Sequence, residues 1–130
     1  MKLPHLISFQ QIGKPEEGFL SVGSNRVLPF EIKRVFWTYD TPTHVIRGNH
    51  AHLHTEMILI AISGEIIVDC ELKPNFKKSF TLNDPNIGLY IPVMCWHTMN
   101  YVGNAVQLVI ANSNYDERDY IRSYDDYRNR

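Results

Sequence analysis

The chain has 130 residues, 44% of them hydrophobic and 21% charged, with a formal net charge of −1. That length suits a single domain with its own core, residues 1–130, and leaves little room for a second. A charge balance near zero supplies no global field for nucleic acid or acidic membranes. An anionic ligand must therefore be held by a few locally placed Arg or Lys residues.

The opening stretch, MKLPHLISFQQ, has no long apolar run and does not read as a signal peptide. No segment approaches the roughly 20 apolar residues of a membrane helix, so a cytoplasmic protein without membrane contact is expected. HLISFQQI (5–12) alternates as a strand, and GFLSV (18–22) makes a second after a Pro/Glu turn. FEIKRVFWTYD (30–40) carries the β-branched and aromatic bias of a long strand. RGNHAHLHTEM (47–57) follows a Thr/Pro break. MILIAI (57–62), apolar on both faces, is expected at the centre of a sheet, with SGE turning the chain into IIVDCEL (66–72). Further strands are expected at SFTL, LYIPV, WHTMNYV and VQLVIAN, set off by the turn formers of KPNFKK and NDPNIG. Cys70 and Cys95 lie among apolar neighbours and are expected as buried thiols rather than a disulfide framework or metal pair.

Short strands at regular intervals, with no helical period before the end, predict an all-β sandwich or barrel. The tail differs. YDERDYIRSYDDYRNR (115–130) is strongly charged, with Tyr120, Tyr124 and Tyr127 at helical spacing. It predicts a short helix laid over the barrel, with its tyrosines as packing.

In an extended strand, side chains two apart share a face, so His50, His52, His54 and Glu56 are expected to point the same way. Two chemistries suit such a group. One is a metal centre: small cupin barrels bind ions with His-x-His, a Glu shortly after and a later His, and this chain offers His50, His52, Glu56 and His97. The other is proton transfer. Two imidazoles about 6.6 Å apart along a strand can remove and return protons at adjacent carbons of one sugar ring. The strand approaches the rim near His54.

Four segments, LPFEIKRVFWTYD, RGNHAH, GLYIPVMCW and YDERDYIRSYDDY, together resemble the nucleotide-sugar 3,4-ketoisomerases that act on TDP-4-keto-6-deoxyglucose. The likeness runs from about residue 6 to residue 127. RG-x-H alone also resembles the 3,5-epimerases of rhamnose synthesis. The chain departs from the ketoisomerase pattern at Met57, where Gln is usual, at Glu17-Gly18 and at IPV.

The resemblance implies a cupin double-stranded β-helix, a jelly-roll barrel closed by a short C-terminal helix or tail. It also implies a homodimer with exchanged N-terminal strands, no metal, and a place in deoxyamino-sugar and O-antigen (lipopolysaccharide) biosynthesis. The substrate would be a TDP-linked 4-keto-6-deoxyhexose whose keto group moves from C4 to C3 through an enediol. No redox cofactor is expected, which agrees with the absence of a Gly-rich dinucleotide loop. His50 is expected as the base and His52 as its partner. Arg47 and Arg34 are expected at the diphosphate, where a planar guanidinium fork suits phosphate oxygens. Tyr39 and His97 are expected near the sugar and its developing oxyanion, and Trp96 and Tyr101 along the sugar or thymine pocket. The competing functions are a metal-dependent cupin enzyme, a TDP-sugar 3,5-epimerase and a sugar-nucleotide sensor.

Overall fold

Alternating apolar side chains along residues 57–61 divide between two packed faces. In the computed structural model, which describes residues 2–130, Met57, Leu59 and Ala61 enter one cluster of buried residues. Ile58 and Ile60 enter another. Residues 109–111 divide the same way, with Val109 and Ala111 in the first cluster and Ile110 in the second. A strand buried on both faces lies at the centre of its sheet, as expected for MILIAI.

The strands are β1 His5–Ser8, β2 Gln10–Lys14, β3 Gly18–Val22, β4 Arg34–Thr38, β5 Ile46–His52, β6 Met57–Leu72, β7 Phe76–Leu82, β8 Ile87–Ile91, β9 Trp96–Ala111 and β10 Tyr120–Ile121. A 3-10 turn, Glu117–Asp119, precedes β10, and a helix, α1 Tyr124–Asn129, follows it. The architecture is all-β with a short C-terminal helix, as the sequence predicts.

Several boundaries differ from the sequence reading. Residues 5–12 break at Phe9, which turns inward to pack with Ile58, Tyr90 and Ile110. In residues 30–40 only Arg34–Thr38 pairs as a strand; Phe30 and Ile32 pack instead against the second cluster. The larger difference is at SGE and VGN. Neither reverses the chain: β6 and β9 are each unbroken and pair antiparallel, Met57 with Ala111 at one end and Glu71 with Trp96 at the other. Register shifts at Ala61, Ser63 and Glu65 mark a bulge in the middle, where Gly64 has φ +72° and Gly103 φ +67°. Bulges bend a strand without ending its pairing.

The bend divides each long strand into two arms. The first arm of β6 pairs with β8, which pairs with β1, while the last arm of β9 pairs with β4. The second arm of β6 pairs with β7, and the first arm of β9 pairs with β5, which pairs with β10. The largest cluster draws on both sets, from Met57 and Leu89 to Val68 and Tyr101. Ala51, Trp96, Ile121 and Tyr127 form a third cluster, which brings the helix against β5 and β9. The hairpin of β2 and β3 forms a separate two-stranded sheet.

Candidate active site

A bulge in β5 sets the phase of the candidate site. Pairing with β9 places Arg47 opposite Met99, Gly48 opposite Thr98 and His50 opposite His97, leaving Asn49 as the extra residue. Directly paired residues share a face, and His97 and Met99, two apart, share theirs. The extra residue therefore brings Arg47 and His50 onto the same side, although they are three apart in sequence. Gly48 (φ +86°) suits this bend, and a Cβ there would lie 2.8 Å from the His97 carbonyl oxygen. Tyr120 of β10 pairs with His52 and so joins the same face, with Arg122 two residues on.

These side chains line a cavity of about 470 Å³. Arg47, His50, His52, His97 and Tyr101 are all in its wall, joined by Tyr115, Tyr120 and Arg122 from the tail. Phe36, Met57, Leu59 and Val109 supply apolar lining. The His50 ring lies 4.9 Å from His52, 4.8 Å from His97 and 5.0 Å from Tyr120, centroid to centroid. His52 lies 4.4 Å from Tyr120.

Each imidazole is anchored through Nδ1. His50 Nδ1 donates to the Gly48 carbonyl at 3.0 Å, and His97 Nδ1 to the Cys95 carbonyl at 3.0 Å. A carbonyl only accepts, so the proton sits on Nδ1 and Nε2 keeps its lone pair. Burial, reinforced by His97 and His52, pushes His50 down to about 2. Burial likewise lowers His97, to about 4. His52 differs in its partner: Nδ1 lies 2.9 Å from Asp119 Oδ2. Burial lowers its pKa too, but the Asp119 carboxylate works against that shift. Asp119 also accepts from the His54 amide at 2.6 Å and from the Thr55 hydroxyl. Burial alone would raise the Asp119 carboxyl; the Thr55, His54 and His52 donors together hold it below its ordinary value.

Opposite ends of the lining carry different polar groups. Tyr101 donates to Gln107 Oε1, and Gln107 Nε2 lies 3.0 Å from Met99 Sδ. On the tail side, Arg122 makes a two-point contact with Glu117, at 2.6 and 2.9 Å, and stacks 4.2 Å from the Tyr120 ring centroid. Arg34 stands behind this wall. Its guanidinium lies 5.1 Å from the Phe36 ring and 5.8 Å from Tyr115, with a buried Nε that has no partner among the described residues.

Other sequence-derived candidates lie apart. Trp96 is out of phase with His97 and packs on Tyr127 and Tyr124 rather than in the cavity. Tyr39 lies just past Thr38, exposed and outside the lining. The four-residue face expected of His50, His52, His54 and Glu56 ends at His52, because the strand ends there. His54 is exposed. Glu56 instead accepts from Tyr90 and from Asn112 Nδ2 at 3.0 Å. It is thus tied to β8 and the end of β9, which removes it from the ligand set expected of a metal cupin. No group of three or more His, Cys, Asp or Glu among the described residues is arranged to hold an ion.

Tyr115, Asp119, Tyr120 and Arg122 were missed as site residues because the tail reads as helix. The pattern Tyr-Ile-Arg at 120–122 carries the signal, since Tyr120 and Arg122 are in strand phase on either side of buried Ile121.

Known proteins resemble this chain over most of their lengths. TDP-4-oxo-6-deoxy-alpha-D-glucose-3,4-oxoisomerase of Aneurinibacillus thermoaerophilus is 35% identical over 126 residues, covering 95% of this chain and 88% of that one. The crystal structure of QdtA, a sugar 3,4-ketoisomerase of Thermoanaerobacterium thermosaccharolyticum in complex with TDP, superposes with a TM-score of 0.91 at 35% identity, over 97% and 92% of the two chains. The TDP-quinovose 3,4-ketoisomerase WlaRB of Campylobacter jejuni gives 0.90 at 36% identity over all of both chains. A dTDP-4-dehydrorhamnose 3,5-epimerase of Bacillus anthracis shares the fold alone, at 16% identity, a TM-score of 0.78 and 90% and 76% coverage. The family described as "FdtA: WxcM-like, C-terminal" matches residues 2–130, and the chain belongs to it.

Proposed function

We propose that the chain is a TDP-sugar 3,4-ketoisomerase, acting as one cupin domain on a TDP-linked 4-keto-6-deoxyhexose in deoxyamino-sugar biosynthesis. The observation that carries this reading is the pair His50 and His52, both anchored through Nδ1 and both in the wall of one cavity. Both are held neutral enough to accept a proton at neutral pH. The C3 hydrogen is acidified by the neighbouring C4 ketone. Its removal gives an enediolate, and protonation at C4 leaves the ketone at C3. The hydroxyl proton of O3 ends on O4, so one carbon is oxidised as its neighbour is reduced. The reaction needs no external redox cofactor.

Arg47 is the proposed contact for the diphosphate, with Arg34 supporting the cationic side of the site. Tyr101 and His97 are the proposed polar contacts to sugar and enediolate. Tyr39, exposed just past β4, is a proposed outer contact, and Trp96 supports the site through the helix. The working form is a cytoplasmic homodimer. Its support is the β2–β3 hairpin, which stands apart from the main sheet with Ile12, Phe19 and Leu20 exposed and has edges suited to exchange with a second copy.

Incubation with TDP-4-keto-6-deoxyglucose in D₂O, followed by NMR, tests the reading. The expected product carries its ketone at C3, and its C4 configuration is read from the same spectrum. Unchanged substrate would sink the proposal, and exchange confined to C3 and C5 would favour an epimerase. His50→Asn is expected to lose at least about 100-fold in turnover while still binding TDP.

A further inference from the structure

We propose that Gln107 is a specificity-determining residue whose carboxamide binds the C2 hydroxyl of the hexose. This rests on the ketoisomerase reading, which puts C3 and C4 of the sugar beside the histidines and the C1 diphosphate beside Arg47.

Gln107 interrupts an apolar surface. It pairs with Ala61 of β6, and Leu59, Ala61, Val109 and Ala111 share its inward face within the first cluster. The residue is only 1% exposed, and it belongs to the cavity wall. A buried carboxamide costs free energy unless its oxygen and both its N–H groups are bonded. The oxygen is satisfied, accepting from the Tyr101 hydroxyl. The nitrogen is not. Its one partner among the described residues is Met99 Sδ at 3.0 Å, and a thioether is a weak acceptor. A thioether has no proton to give, so the amide turns its nitrogen rather than its oxygen toward the sulfur. Two strong donors are thus left with one weak acceptor, in the wall of a cavity.

The departure from the ketoisomerase pattern at Met57, where Gln is usual, falls on the same surface. Met57 pairs with Ala111, so it shares the inward face of Gln107, and both line the cavity. A carboxamide absent from one strand of this wall is present on the next.

Register places the amide along the sugar. His97 and Met99 are successive residues of the inward face of β9, about 6.6 Å apart. They pair with His50 and Arg47 respectively. The Gln107 nitrogen rests on Met99 Sδ, and so lies on the Arg47 side of the histidines. Tyr101 marks the same end: burial raises its pKa, while Thr38 and Arg47 beside it oppose that rise. C2 is the ring carbon between C3 and C1. With C3 at the histidines and the C1 diphosphate at Arg47, the C2 hydroxyl is the group that passes this amide. Its oxygen accepts from Nε2 and replaces the sulfur with a stronger acceptor.

Gln107→Met keeps the length of the side chain and removes the amide. The measurement is kcat/KM on TDP-4-keto-6-deoxyglucose and on its 2-deoxy analogue. Wild type should prefer the 2-hydroxy substrate about tenfold, the worth of one hydrogen bond in a closed site. Gln107→Met should lose that preference, chiefly through a higher KM for the 2-hydroxy substrate. Its affinity for TDP, which carries no hexose, should stay unchanged. Gln107→Leu is the second variant should the first fail to fold, with the same expectation. A glutamine that only supports the fold would lower thermal stability and leave the preference intact. A wild type indifferent to the C2 hydroxyl, or a preference that survives in the folded variant, overturns the proposal. An equal loss of TDP affinity also overturns it, by moving Gln107 to the nucleotide. Calorimetry with TDP-glucose and TDP-2-deoxyglucose reads the same preference without turnover. A wild type that binds with this preference but turns nothing over would sink the ketoisomerase reading and leave the contact standing.

Discussion

Burying three imidazoles side by side makes the folded state resist protons that the unfolded chain accepts. An unfolded histidine titrates near 6.5, whereas His50 is held down to about 2 and His97 to about 4, by burial foremost. Above about pH 6.5 both states are neutral at these rings, and they contribute no pH dependence. As pH falls below that value the unfolded chain gains protons and the native one does not, so stability is lost. The loss has a limiting slope of roughly 1.4 kcal/mol per pH unit per histidine. Asp119 acts elsewhere: its depressed pKa contributes stability above the unfolded carboxyl value of about 3.9, lost only on further acidification. Urea midpoints should therefore be flat between pH 7 and 8 and fall between pH 6.5 and 4.5. His97→Asn should make that fall less steep, and an equal slope in the variant would contradict this account.

At the scale of elements, the fold turns on the bend shared by β6 and β9. A Cβ at Gly64 would lie 2.6 Å from Ala105 Cα and 2.8 Å from the Gly103 carbonyl oxygen, in a backbone with φ +72°. Gly64→Ala should cost at least about 2 kcal/mol, the left-handed penalty plus displacement of backbone. Gly18→Ala is the control, with φ +90° but nothing within 4 Å, and should cost roughly 1 kcal/mol. Equal effects in thermal melts would remove the bend's special status. This bend also marks what the sequence made legible. Period-two alternation located both arms of each long strand, because burial on one or two faces leaves that imprint. It could not distinguish a bulge from a reversal, because Ser-Gly-Glu and Val-Gly-Asn suit either. His50, His52 and His97 were readable from strand phase and motif order. Tyr120 and Arg122 were hidden because spacing among Tyr120, Tyr124 and Tyr127 mimics a helix that begins only at Tyr124. Glu56 was misplaced on the histidine face because nothing in sequence marks the strand's end at His52.

For the whole molecule, several exposed apolar side chains lie on strands outside the cavity wall. Ile12, Phe19 and Leu20 lie on the hairpin, and Val35 and Trp37 alternate along one face of β4. A lone exposed side chain is ordinary, but strands carrying several suggest contact with another surface. Sedimentation at micromolar concentration is expected to show a dimer of the 15.1 kDa chain. Phe19→Asp combined with Leu20→Lys should shift it toward monomer with its barrel intact. A wild-type monomer at that concentration would remove the exchange proposal.

The tail has a consequence that reaches beyond its contacts. Residues 115–122 contribute Tyr115, Tyr120 and Arg122 to the cavity and Asp119 behind it. They are held by a two-residue strand, by the bonds of Asp119 to His52, Thr55 and the His54 and Leu53 amides, and by Tyr127, whose hydroxyl lies within hydrogen-bond distance of the Glu71 and Met94 carbonyls. Such a short attachment can open locally while the long strands stay paired. The complete cavity then exists only in the docked fraction of molecules. A ligand's apparent dissociation constant is its intrinsic value divided by that fraction, and ligand binding draws the tail closed in return. Occupancy of the sugar site and order of the C-terminal segment are thus two readings of one equilibrium.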